Sequence, residues 1–171
     1  MQRQPTLLNS CASAATAAEA RYRISYPEFA RRSSRVIALD QQAAAIVRRI
    51  AAQRWSGGHF LAFEAAVPAN GPALESADAR LRRADGAEVL LSEELSDADA
   101  VVMVATAQTR AEAAAVIGDA CASRSIMSAG LVVSGAGGAD GVVSALRPNA
   151  MVLVILQNAG DIPEILSALR V

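Results

Sequence analysis

The run Ala100-Val101-Val102-Met103-Val104-Ala105 most constrains what this chain can fold into. A strand with one wet face alternates apolar and polar side chains. An uninterrupted apolar run of this length instead needs burial on both faces, which is the condition of a parallel strand. Thr109-Arg110-Ala111-Glu112 then reads as a capping box. It opens a helix with Ala113, Val116, Ile117, Ala120 and Cys121 along one face. A second apolar run, Ala129 to Val133, follows at once. Beyond the loop Ser134 to Gly141, a short helix over Val142 to Arg147 stops at Pro148, and Met151 to Leu156 reads as another buried strand. Asp161-Ile162-Pro163-Glu164 caps a last helix with Ile162, Ile165, Leu166 and Leu169 on one side.

Upstream the signals are shorter. Ser25-Tyr26-Pro27-Glu28 is a capping box that opens a helix. Arg35 to Leu39 fits either helix or strand, and Asp40 serves as N-cap for a helix whose stripe is Ala43, Ile46, Val47, Ile50 and Ala51. Gly57-Gly58 ends that helix. His59 to Phe63 is β-prone, and Pro68-Ala69-Asn70-Gly71-Pro72 is a loop. The spacing of Leu74, Ala77 and Leu81 predicts an amphipathic helix, with Glu88 to Leu91 a brief strand after it. Strands alternating with helices predict an α/β fold of three-layer, Rossmann-like type, with a mainly parallel sheet of about five strands. The expected division is an N-terminal helical arm over residues 1–55 and the α/β domain over 56–171, with the arm packed on that domain or on a second subunit.

Composition removes several chemistries. All 16 basic residues are arginine, so Schiff-base lysines and a P-loop Gly-Lys-Ser/Thr cradle are excluded. One histidine and two cysteines cannot build a multi-histidine or four-cysteine metal site, and no metal site is expected. A net charge of −1 and a pI near 5.8 leave no electrostatic footprint for nucleic acid. No apolar run reaches the roughly 18 residues of a membrane span. Polar residues from Asn9 to Thr16 interrupt any signal-peptide core, so the expected location is cytoplasmic and Cys11 and Cys121 are expected to be free thiols. The clusters Arg31, Arg32, Arg35 and Arg48, Arg49, Arg54 read as solvated helix faces, with an anion or partner site as the alternative.

In open α/β sheets, ligands bind beyond the carboxyl ends of the strands. Two loops on that edge carry suitable groups. Thr106, Gln108, Thr109 and Arg110 set hydroxyls, an amide and a guanidinium at a helix N-terminus, which favours an anion, and Arg147 is the expected second cation. Gly135 and Gly137 belong to a glycine-rich strand-to-helix loop, whose spacing Gly-x-Gly-x-x-x-Gly departs from the dinucleotide fingerprint. His59 stands at the start of a strand, at the opposite edge, with no Gly-x-Ser-x-Gly elbow to serve. The acidic run Glu93 to Asp99 reads as a solvated turn at that same edge. These residues assign no catalytic group and no cofactor.

Residues 97 to 134, with Asp97-Ala98-Asp99-Ala100-Val101-Val102-Met103-Val104-Ala105, Ala113-Ala114-Ala115-Val116-Ile117-Gly118 and Ala129-Gly130-Leu131-Val132-Val133, resemble the strand–loop–helix–strand of the tubulin/FtsZ-type nucleotide domain. That resemblance implies a nucleotide ligand. The family's glycine-rich phosphate loop is replaced here by Gln108-Thr109-Arg110. Thr106 and Thr109 are also similar to the hydroxyl-bearing loop of sugar-phosphate isomerase domains. The expected function is binding of a small anionic ligand, a nucleotide or phosphorylated metabolite. The alternative is a non-catalytic, homo-oligomeric assembly protein built on the alanine-rich helices.

Overall fold

The computed structural model describes residues 33–67, 78–135 and 138–171. These form an α/β fold with a seven-stranded, mostly parallel sheet and, among the described residues, five α-helices. In chain order they are β1 (Ser34–Ala38), α1 (Gln41–Ala51), β2 (Gly58–Val67), β3 (Asp78–Arg83), β4 (Glu88–Leu90), α2 (Leu91–Glu94), β5 (Ala100–Thr106), α3 (Ala111–Ser123), β6 (Met127–Val133), α4 (Asp140–Leu146), β7 (Val152–Leu156) and α5 (Ile162–Ala168). The sheet order is β4-β3-β2-β1-β5-β6-β7. Strands β2, β1, β5, β6 and β7 are parallel, whereas β3 and β4 join antiparallel beside β2.

The apolar run of β5 lies between β1 and β6, and Val101 to Thr106 are all buried. Successive residues supply different cores, as a period of two demands. Ile37, Val101, Met103 and Ala105 join a cluster with Ile117 of α3 and Leu146 of α4. Val36, Ala38, Val102 and Val104 join another with Val47 of α1 and Leu166 of α5. Burial on both sides explains why no polar residue interrupts the run.

Three expectations change. Of residues 35–39, compatible with helix or strand, 35–38 lie in the strand Ser34–Ala38 at the centre of the sheet, and α1 packs beside it. The compact unit holding the sheet runs Arg31–Val171, so residues 34–51 belong to the α/β body and not to an arm ending at 55. The helix expected across Leu74 to Leu81 is instead strand from Asp78 onward. Ala79 and Leu81 are buried while Arg80 and Arg82 are exposed, so a period of two overrides the three–four spacing. This strand β3, with β1, raises the strand count from about five to seven. The helix expected from Ser25, the Pro68–Pro72 loop and Cys11 lie outside the described residues. Among the described residues, no helix is long and apolar enough to cross a membrane.

Candidate functional site

The connection after β1 leads to β2 on one side, and the chain later returns to β5 on the other. Crossovers therefore diverge at the carboxyl ends of β1 and β5, where an open sheet leaves a crevice. A cavity of about 760 Å³ opens there. Its walls are Asp40 and Gln41 after β1, Arg48 on α1, Phe63 and Glu64 on β2, Arg82 on β3, and Gln108, Arg110 and Glu112 at the start of α3.

Asp40 ties the two diverging strands together. One carboxylate oxygen accepts from the Ala43 amide (2.8 Å) and the Thr106 hydroxyl (3.0 Å). The other accepts from the Thr106 amide (2.9 Å) and the Thr109 hydroxyl (2.5 Å). Four donors fill the usual capacity of a carboxylate, so Asp40 has no lone pair left for a metal or a substrate proton. Each threonine hydroxyl also accepts, Thr106 from the Gln108 amide (3.3 Å) and Thr109 from the Thr106 amide (3.1 Å). Thr106 and Thr109, expected to contact ligand, are instead engaged in this knot.

The knot changes the start of α3. Thr109 does not cap the helix, because its hydroxyl is turned to Asp40. Arg110 occupies the N-cap position with no side-chain cap bond, and the 13-residue helix presents its first amides without a side-chain acceptor. α1, which borders the same cavity, is capped by Asp40.

The cavity's arginines differ in the same way. Arg82 pairs with Glu64, and its second contact, to Glu88, is 3.4 Å long. The Arg82 hydrogen bond holds the Glu64 carboxyl below its ordinary value. Arg48 and Arg110 are exposed and have no ion pair among the described residues.

Of the other expected ligand residues, Gln108 and Arg110 line the cavity. Gly135 is exposed beyond β6 and does not line it, and Gly137 lies outside the described residues. Arg147 follows α4, which returns from the carboxyl edge after β6, so Arg147 stands at the amino edge and is no second contact. Arg48, Glu64 and Arg82 were not singled out as ligand residues. Arg48 lies in the last turn of α1, two turns beyond the Asp40 cap, and it borders the cavity through the packing of α1 beside β1 and β2, which local spacing does not reveal.

The amino edge holds a different cluster. Arg35, expected on a solvated helix face, is 1% exposed in β1. Its Nε donates to the Glu94 carbonyl (2.8 Å) and lies 3.0 Å from the Glu94 carboxylate, while its outer nitrogens reach Ser33 and Asp97. Glu94, expected in a solvated turn, is buried and also binds Arg83 (2.8 Å and 2.5 Å) and His59 (3.0 Å). Burial pushes the Glu94 carboxyl up, but hydrogen bonds from His59 and Arg83 outweigh it, and the net shift is downward. His59 is half-exposed at this edge, away from the cavity. Among the described residues no group of three or more His, Cys, Asp or Glu side chains is placed to hold a metal ion. Cys121 is a free, buried thiol that burial pushes up to about 11, which keeps it protonated and inert.

No protein-family model matches this chain, and neither curated proteins nor solved structures give a match.

Proposed function

We propose that the protein binds a small anionic ligand, a nucleotide or phosphorylated metabolite, in the cavity at the carboxyl ends of β1, β2 and β5. One observation carries this reading. Two exposed guanidiniums without partners among the described residues, Arg48 and Arg110, border the same cavity as the uncapped N-terminus of α3. Cations and helix amides together favour a phosphate or carboxylate. Arg110 and the first amides of α3 hold the anion, Arg48 faces it from α1, and Gln41 and Gln108 offer amide contacts. The tubulin/FtsZ-type resemblance of residues 97–134 fits the nucleotide member of this class. Replacement of the glycine-rich loop by Gln108-Thr109-Arg110 moves the anion onto a guanidinium. The same reading takes the two core clusters as the two helix-covered faces of a three-layer, Rossmann-like domain.

Thermal unfolding with GTP, ATP, sugar phosphates and small carboxylates tests it. A ligand at a hundred times its Kd stabilises the folded chain by about 2.7 kcal/mol. For a domain of this size that raises Tm by roughly 5–10 °C. Arg110→Ala and Arg48→Ala each weaken the responding ligand by about tenfold or more, the worth of a charge-assisted hydrogen bond. No stabilisation by any of these compounds at millimolar concentration overturns the proposal.

A further inference from the structure

We infer that the chain has a second binding site, at the amino edge of the sheet, for a small apolar molecule of about benzene size carrying one hydroxyl group. Three observations carry it. A cleft of about 150 Å³ is lined by residues from the starts of β1, β5, β6 and β7, by Ile165 of α5 and by Leu169 just after it. No charged side chain lines it, in contrast to the cavity at the other edge. Met127 and Met151 border it and are 51% and 75% exposed. These flexible thioethers adapt readily to an apolar guest.

The second observation is size. An apolar cavity of about this volume accepts a single aromatic ring, and water is held poorly where it finds fewer than two polar partners.

Ser34 is the third. It is 1% exposed and lines the cleft from the start of β1. Its Oγ is the only buried side-chain nitrogen or oxygen among the described residues without a hydrogen-bond partner. The other hydroxyl in the lining, Ser128, donates to the Asn149 carbonyl at 3.1 Å and is engaged. One open hydroxyl in an apolar cleft selects a ligand with one matching polar atom, because a buried polar group left unpaired is unfavourable. Phenol has that composition; benzene lacks the polar atom.

The test is a titration of the full chain with phenol and with benzene, read by NMR on the methionine methyl groups. Phenol shifts the Met127 and Met151 methyls saturably at millimolar concentration. Ser34→Ala weakens phenol roughly five- to tenfold, the worth of one neutral hydrogen bond, and leaves benzene within about twofold. Ala129→Leu fills the cleft and removes both responses, and Ala100→Leu serves if that variant fails to fold. Arg110→Ala leaves phenol unchanged, which separates this site from the anion cavity. The inference is overturned if the methyls do not saturate, or if Ser34→Ala treats phenol and benzene alike. It is also overturned if the methyls shift with protein concentration alone while sedimentation shows a dimer, since a second copy then occupies the cleft.

Discussion

Each edge of the sheet is fastened by one carboxylate, and the two are satisfied by different partners. At the carboxyl edge Asp40 takes two threonine hydroxyls and two backbone amides. At the amino edge Glu94 takes Arg35, Arg83 and His59. Neutral donors satisfy the first acid locally, so the arginines around it stay open to solvent. The second acid engages every cation that reaches it. A cluster rich in charge is therefore the structural one, and the edge whose acid needs no cation is where a ligand finds guanidinium groups. In a chain without lysine, this division of the arginines decides which end of the sheet can recognise an anion.

The largest expected effect breaks the amino-edge cluster. Glu94→Ala leaves the buried Arg35 with a single, exposed carboxylate, Asp97, and costs about 3–5 kcal/mol, as removal of one member of a buried pair does. Chemical denaturation reads this directly. The double variant Arg35→Met with Glu94→Leu recovers much of the loss, because neither charge is then stranded. A Glu94→Ala cost below about 1 kcal/mol ends the comparison, since that network then has no more weight than a surface pair.

Asp40→Ala comes next, at about 2–3 kcal/mol. It removes the α1 cap, worth roughly 1 kcal/mol, and leaves donors of Thr106 and Thr109 unsatisfied. Asp40→Asn keeps the acceptor oxygen and loses about half as much, because the amide serves fewer of the four donors. The urea midpoint falls with an unchanged slope in both cases if the knot is local.

Acid distinguishes the amino edge by its charge. The Glu94 carboxyl sits below its ordinary value of 4.5. Asp78, opposite Val67 at the carboxyl end of β2, is also held below its ordinary value of 3.8, because burial pushes it up less than hydrogen bonds from Ser92 and the Ala79 amide pull it down. A carboxyl depressed in the folded state contributes stability above its unfolded value, and that stability is lost as pH falls through the folded value. Stability therefore falls with acid from about pH 4.5 downward. Glu94→Gln flattens the upper part of that decline, measured as urea midpoint against pH. An unchanged profile shows that the His59 and Arg83 contacts do not stabilise the ionised form.

How much of this was legible in the sequence follows from the range of each contact. The apolar runs of β5 and β6 and the Asp40 cap of α1 are local signals that the structure contains, whereas α5 forms but Asp161 makes no side-chain cap bond. The switch from helix to strand at Asp78 depends on Leu81 pairing with Phe63, a partner from another strand. Arg35 beside Arg31 and Arg32 looks like surface until β1 is set between β2 and β5, with Arg35 opposite His59. At the candidate site, Gln108 and Arg110 border the cavity, a placement legible in the sequence because a strand followed by a helix marks a sheet edge. The engagement of Thr106 and Thr109 is not legible locally, because their acceptor, Asp40, is more than sixty residues away. Arg48 and Arg82 reach the cavity only through strand order, which periodicity does not encode.

The smallest expected effects carry the functional half of the comparison. Arg48→Ala and Arg110→Ala remove exposed guanidiniums that pair with no described residue, so each changes stability by less than about 0.5 kcal/mol. Arg82→Ala loses only surface contacts with Glu64 and Glu88, which solvent screens, and its effect is comparably small. Arg35→Ala is more damaging than any of these, because it empties a buried position in β1 and leaves Glu94 with only the part-exposed Arg83 and His59. This order, read from four denaturation curves, sorts the arginines by what satisfies them and not by where they fall in the chain. The decisive variant is Arg110→Ala. If it destabilises the fold by more than about 1 kcal/mol, Arg110 is a structural cation like Arg35 and the start of α3 has no free charge for an anion. If stability holds while the thermal response to phosphate-bearing compounds is lost, the guanidinium acts on the ligand and not on the fold.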